Sequence, residues 1–351
     1  MHGPMDDGST HNSPPNDAPP IGRESADRPL DAAALLDLVE QYGASDLHLK
    51  VGRPPVLRVA GELLAQNGWQ PLDAADLSRL FCEVSDESQR ARFEAQPELD
   101  LSCTIDGGSR LRVSASRQRG AIAMTWRRIP STVPSLDDLR LPSVCKELIM
   151  RPRGLVLVTG PAGSGKSTTL AAMIEHLNER KAARIVTCED PIEYLLEDKR
   201  ALITQREVGV DTPSAAGAIR AALRQDPDVI VVSELRDMDT IDAALTAAET
   251  GHLVLSTLHT AGAAQTIDRL VDVFPPHLQQ QTRTILADVL EGILSQALIP
   301  TADGQGRVAA VEVLLASTAV RNLIREGKTP QIPDVMETNQ RQGMRSMDQA
   351  L

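Results

Sequence analysis

Gly160-Pro-Ala-Gly-Ser-Gly-Lys-Ser167 fits the pattern of a glycine, four residues and then Gly-Lys-Ser that marks a phosphate-cradling loop. It follows a short apolar run, Leu155-Val-Leu-Val-Thr159, and after it Leu170, Met173, Ile174 and Leu177 recur at helical spacing. Strand, glycine loop and helix are the context in which the pattern becomes a site. Gly163 and Gly165 let backbone N–H groups curl around an anion, and the helix N-terminus beneath adds partial positive charge. Lys166 is placed to reach the β- and γ-phosphates and Ser167 to hold Mg²⁺. The stretch therefore predicts a nucleoside-triphosphate site made of Gly160, Pro161, Ala162, Gly163, Ser164, Gly165, Lys166, Ser167 and Thr168.

Downstream, further apolar strands recur at intervals: Arg184–Glu189, Val229–Ser233 and Leu253–Thr257, with helical stretches at Ser214–Arg224 and Thr240–Thr250 between them. Gly251 is the expected stop of the second helix. Short apolar strands alternating with helices imply a parallel sheet covered on both faces. After Phe274-Pro-Pro276 the pattern reads as largely helical, with Leu278–Leu298 the longest candidate.

Upstream, residues 1–30 are rich in Pro, Asp, Ser, Asn and Gly and read as a disordered tail. Residues 31–130 read as a small α+β domain: a helix ending near Gly43, strands at Asp46–Lys50 and Val56–Val59, and a helical stretch from Asp73 to Phe93. A hairpin is expected around Asp106-Gly-Gly108, then a strand over Ala121–Ile129. His48 on the first strand reads as structural. Pro130, Pro134 and Pro142 suggest a linker over 131–150, leaving 151–351 as the nucleotide domain.

The 351 residues are enough for two domains. A net charge of −12, from 36 basic and 48 acidic residues, and an aromatic content of 2% argue against a nucleic-acid motor. The four cysteines form no CxxC pair, so no zinc ribbon is indicated. No apolar run approaches the roughly 20 residues that span a bilayer, and a cytoplasmic location is expected.

In an open α/β sheet, ligands sit beyond the carboxyl ends of the strands. That rule selects Glu234, where P-loop enzymes keep the acid serving Mg²⁺. It also selects Glu189-Asp-Pro-Ile-Glu193 and His259. Either Glu193 or Glu189 is suited to orient the attacking water, and His259 to sense the γ-phosphate. Positive charge for the transition state is harder to find here. The upstream domain carries Arg112, Arg117, Arg119, Arg127 and Arg128 on neighbouring strands, where a ring of subunits would let them reach the next protomer.

Taken together, Gly43-Ala-Ser-Asp-Leu-His-Leu-Lys50, the Walker A loop, Glu189–Glu193, Gln205-Arg-Glu-Val-Gly209, Glu234, Ala247–Leu253 and His259 resemble the type IV pilus retraction ATPases of the PilT class, within the secretion ATPase superfamily. The resemblance runs from about residue 31 to the C-terminus. It implies a PAS-like N-terminal domain, a RecA-like ATPase domain, and ATP and Mg²⁺ as cofactors. It favours Glu193 over Glu189 as the catalytic glutamate, with Glu234 and His259 beside it. Arg112 and Arg127 match arginines that reach the neighbouring nucleotide of a homohexamer. It further implies work on an inner-membrane pilus platform protein at the pilus base, and a PilU-like accessory role as the alternative. Ala319-Val-Arg-Asn-Leu-Ile-Arg-Glu326 resembles the retraction-class motif, with Val320 where isoleucine is usual. Ser233 stands where glycine is common.

Overall fold

The computed structural model describes residues 30–59, 61–105, 110–130, 132–302 and 306–351. The expected tail before Leu30 and the turn at Asp106-Gly-Gly108 lie outside them. The chain divides into two compact units, the first ending at Arg128 and the second running from Ile129 to Leu351.

In the first unit, α1 (Ala32–Gln41), α2 (Ala74–Val84) and α3 (Glu87–Ala95) accompany a six-stranded sheet. Its strands are β1 (Asp46–Leu49), β2 (Val56–Val59), β3 (Glu62–Ala65), β4 (Glu98–Thr104), β5 (Arg110–Gln118) and β6 (Ala121–Ile129), in the order β3-β2-β1-β6-β5-β4. The single helix expected over Asp73–Phe93 is two. Asp73 and Asp86 each close a capping box with the residue three along, so Asp86 starts a fresh helix after Ser85 turns extended. Leu35, Leu47, Leu57, Leu77, Phe93 and Trp126 fill the core, and Trp69 packs against it. His48 Nδ1 meets Thr125 Oγ1 at 3.2 Å across the sheet.

The second unit is built on a seven-stranded sheet in the order β13-β12-β7-β11-β10-β8-β9. Here β7 is Gly154–Thr159, β8 Arg184–Glu189, β9 Leu202–Glu207, β10 Val229–Val232, β11 Leu253–Leu258, β12 Leu290–Pro300 and β13 Arg307–Leu315. All neighbours are parallel except β12 and β13. The β7 side chains alternate between faces as strand geometry requires. Leu155 and Leu157 enter one core with α6 (Ala215–Ala222), α7 (Met238–Glu249), α8 (Ala263–Asp272) and α9 (Pro276–Val289). Val156 and Val158 enter a second core with α4 (Val144–Ile149) and α5 (Lys166–Asn178). α10 (Thr318–Arg325), α11 (Ile332–Thr338) and α12 (Met347–Ala350) complete the chain. Gly251 follows α7 with φ 104°, as a C′ glycine should.

Two expectations need correction. Of the linker expected over 131–150, the described residues 132–150 pack as part of the second unit, because Leu136, Leu141, Val144, Cys145, Leu148 and Ile149 are buried there. The prolines punctuate a segment that nonetheless presents an apolar face. Nor does a helix run to Leu298. It stops at Val289 and the chain continues as β12, laddered to β7 on one side and to β13 on the other. Leu286, Val289, Leu290, Ile293 and Leu294 satisfy a helical period as well as a strand buried on both faces, and the available partners decide. Gly292 seals the choice: a Cβ there would lie 3.0 Å from both Leu148 methyls and 3.2 Å from the Leu314 carbonyl.

Candidate active site

The carboxyl ends of β7, β8, β10 and β11 are neighbours in the sheet, and each delivers one piece of the site. β7 runs into the glycine loop. Gly160 takes φ 142° and backs onto β12, where a Cβ would come within 2.2 Å of the Gln296 carbonyl. Gly163, at φ 74°, has open space around it, so torsion alone selects glycine there. Gly165, at φ 87°, is the N-cap of α5, leaving the first helical N–H groups free for an anion. Pro161, Ala162 and Gly163 form an exposed lip, whereas Ser164 and Lys166 are buried.

Lys166 Nζ donates to the carbonyls of Gly160 and Pro161, both at 2.9 Å. It also lies 3.4 Å from His259 Nδ1. An ammonium only donates, so Nδ1 must accept and the imidazole proton sits on Nε2. That Nε2 faces Glu234 Oε2 at 3.3 Å. Burial pushes the Lys166 pKa down, while the charges of Glu234 and Glu193 oppose that shift. Lys166, His259, Glu234 and Glu193 thus form one electrostatic cluster. Ser167 follows Lys166 on the first turn of α5. Thr168 Oγ1 meets Tyr194 OH at 3.0 Å, tying the helix to the loop that carries Glu193.

Glu193 is exposed, beyond β8, whereas Glu189 ends that strand and points inward. Burial raises the Glu189 pKa; hydrogen bonds from Thr187, Gln205 and the Glu193 backbone N–H only partly offset it. A carboxyl so enclosed is occupied with its neighbours, and Glu193 is the one open to solvent.

Three groups in the site escaped the sequence reading. Arg236 donates from Nε to Glu234 Oε2 at 2.7 Å and approaches Asp190 at 3.5 Å, adding to Lys166 a second cation inside the unit, where positive charge is hard to find from sequence. Its place two residues after Glu234 was the available signal. Gln296, 2% exposed, donates to the Ser164 carbonyl at 2.6 Å and braces the loop from β12. No motif marks it, since its partner is a backbone carbonyl 132 residues away. Tyr194 was passed over in the same way.

Arg112 and Arg127 belong to the first unit, on β5 and β6. Among the described residues Arg112 faces Asp100, Nη2 to Oδ2, at 4.0 Å. Arg127 donates twice to Asp46, at 2.9 and 2.7 Å. Burial alone would raise the Asp46 pKa, but hydrogen bonds from Ser45 and Arg127 outweigh it and hold the carboxyl below its usual range.

The model of the type II/IV secretion system protein family matches residues 141–349. The type IV pilus retraction ATPase PilT of Pseudomonas aeruginosa is 47% identical over 322 residues, 92% of this chain and 93% of that protein. The type IV pilus ATPase PilU of the same organism is 40% identical over 322 residues, covering 92% and 84%. A crystal structure of the pilus retraction motor PilT with bound ADP aligns at TM-score 0.84 and 42% identity, over 92% of this chain and 96% of that one. With the glycine loop, the strand-end acids and this similarity across both units, the chain belongs to the type II/IV secretion ATPase family, in its PilT branch, and is an ATP-hydrolysing enzyme.

Proposed function

We propose that this chain is the subunit of a homohexameric motor that hydrolyses ATP to retract a type IV pilus. The observation that carries the reading is the convergence of Lys166, Glu193, Glu234 and His259 at the ends of adjacent strands. The higher identity to PilT, 47% against 40% for PilU, favours the retraction motor over the accessory paralogue.

In this mechanism the triphosphate takes over the Lys166 ammonium from the Gly160 and Pro161 carbonyls, and the N–H groups at the start of α5 hold its phosphates. Ser167 and Glu234 are hard oxygen donors, which suits Mg²⁺; once bound, the ion neutralises charge developing on the phosphate oxygens. Glu193, open to solvent, orients the attacking water. His259, held between Lys166 and Glu234, reports the γ-phosphate to the rest of the sheet. Arg112 and Arg127 reach the nucleotide of the next subunit, and domain rotation acts on an inner-membrane platform protein, with a paralogous ATPase as a further partner.

Two substitutions test the chemistry. Lys166→Ala should abolish tight binding of a fluorescent ADP analogue, since the phosphate charge loses its buried partner. Glu193→Gln should bind as the parent does but hydrolyse ATP slower by about 100-fold or more. Undiminished affinity in the first variant or unchanged turnover in the second overturns the corresponding role.

A further inference from the structure

Residues 190–196, which carry Glu193, form neither helix nor strand. A catalytic group on such a segment is only as well placed as the contacts that hold the segment down. One side chain holds it directly after Glu193 and, through Glu189 at the end of β8, from before it. Gln205, on the edge strand β9, donates from Nε2 to Glu189 Oε1 at 2.9 Å and to the Tyr194 carbonyl at 2.8 Å. Its Oε1 accepts from the Leu196 N–H at 2.9 Å.

The orientation of this amide is dictated by its partners. The Leu196 N–H can only donate and the Tyr194 carbonyl can only accept, so exchanging Oε1 and Nε2 would turn both contacts repulsive. Both Nε2 protons are engaged. Glu189, the partner before Glu193, accepts in turn from Thr187 Oγ1 at 2.6 Å and from the Glu193 backbone N–H. The parallel register puts Thr187 opposite Gln205, so the brace is anchored in the ladder of the sheet.

We propose that Gln205 is a positioning residue for ATP hydrolysis, clamping the 189–196 segment at both shoulders so that the Glu193 carboxylate meets the attacking water in one geometry. This rests on Glu193 being the group that orients the water. A misplacement on the order of 1 Å costs up to about 100-fold in rate, and a segment freed of two direct hydrogen bonds and of the tie through Glu189 has that latitude. The hydrogen bonds of Gln205 go to Glu189, Tyr194 and Leu196 and none to the glycine loop, and the Thr168–Tyr194 hydroxyl contact does not involve its amide, so its loss should bear on turnover far more than on nucleotide affinity.

The test uses the full chain with Gln205→Met, which keeps length and removes every hydrogen bond. Turnover should fall roughly 10- to 100-fold, with KM for ATP and affinity for a fluorescent ADP analogue within about twofold of the parent. In a Glu193→Gln background the same change should add nothing to the residual single-turnover rate, because the group it positions is gone. A merely structural role would multiply the two losses. Gln205→Glu, which keeps an acceptor for the Leu196 N–H but offers no donor, carries the same comparison if the methionine variant does not fold. Normal turnover in the Gln205 variants, or multiplicative losses in the double variant, overturns the clamp. If Glu193→Gln alone leaves turnover intact, it is instead the role of Glu193 that fails.

Discussion

Glu189 is caught between two opposing demands. Burial asks it to be neutral, while the donors around it, Thr187, Gln205 and the Glu193 N–H, ask it to be charged; burial prevails and its pKa lies above the ordinary 4.5. The sign for stability follows. Between the ordinary and the raised value the folded chain keeps a proton that the unfolded chain gives up, so this contribution is full below the ordinary pKa and is lost as pH rises through the raised one. Glu189→Gln has no such proton. In thermal melts at about pH 5 and pH 8, the difference in Tm should therefore move in the variant's favour at the higher pH; a shift the other way would contradict the assignment. The residue scale is also where legibility in the sequence is most uneven. Lys166 and Glu234 were legible because their chemistry needs a fixed spacing or a strand end. Gln296 and Tyr194 were not, because what they contact is a backbone carbonyl and a threonine hydroxyl brought close only by folding.

Among the elements, β7, β10 and β11 announce themselves by long apolar runs, as strands buried on both faces must, and every residue in them is buried. β12 does not, since its apolar residues satisfy either period until its partners are known. β9, at the sheet edge, is mostly polar, and Leu202 on it is 55% exposed. The junction of α4 with β12 makes the physical point testable. Leu148 rests against Gly292 with no room for another carbon, so Gly292→Val must push α4 away from the sheet or bend β12. The expected cost is about 1–3 kcal/mol, as for other overpacked cores, read as a lowered Tm. A variant as stable as the parent would mean that α4 is not docked there.

At the scale of the whole molecule, the arginines proposed to serve hydrolysis, Arg112 and Arg127, and the nucleotide loop lie in different units. Arg112 gains little from an exposed partner at 4.0 Å, so removing it should cost activity far more than stability. If it acts on the next subunit's nucleotide, Arg112→Ala and Glu193→Gln chains, each impaired alone, should regain turnover on mixing, because some interfaces then combine an intact arginine with an intact glutamate. A mixture that merely averages the two places Arg112 outside the reaction.

Both tryptophans of the chain belong to the first unit, Trp126 in its core and Trp69 packed against that core, and the ATPase unit has none. Intrinsic tryptophan emission consequently comes from the first unit alone. A change in that signal on adding nucleotide therefore reports the first unit, reached either through the chain or through the neighbouring subunit's nucleotide that Arg127, next to Trp126, is proposed to meet.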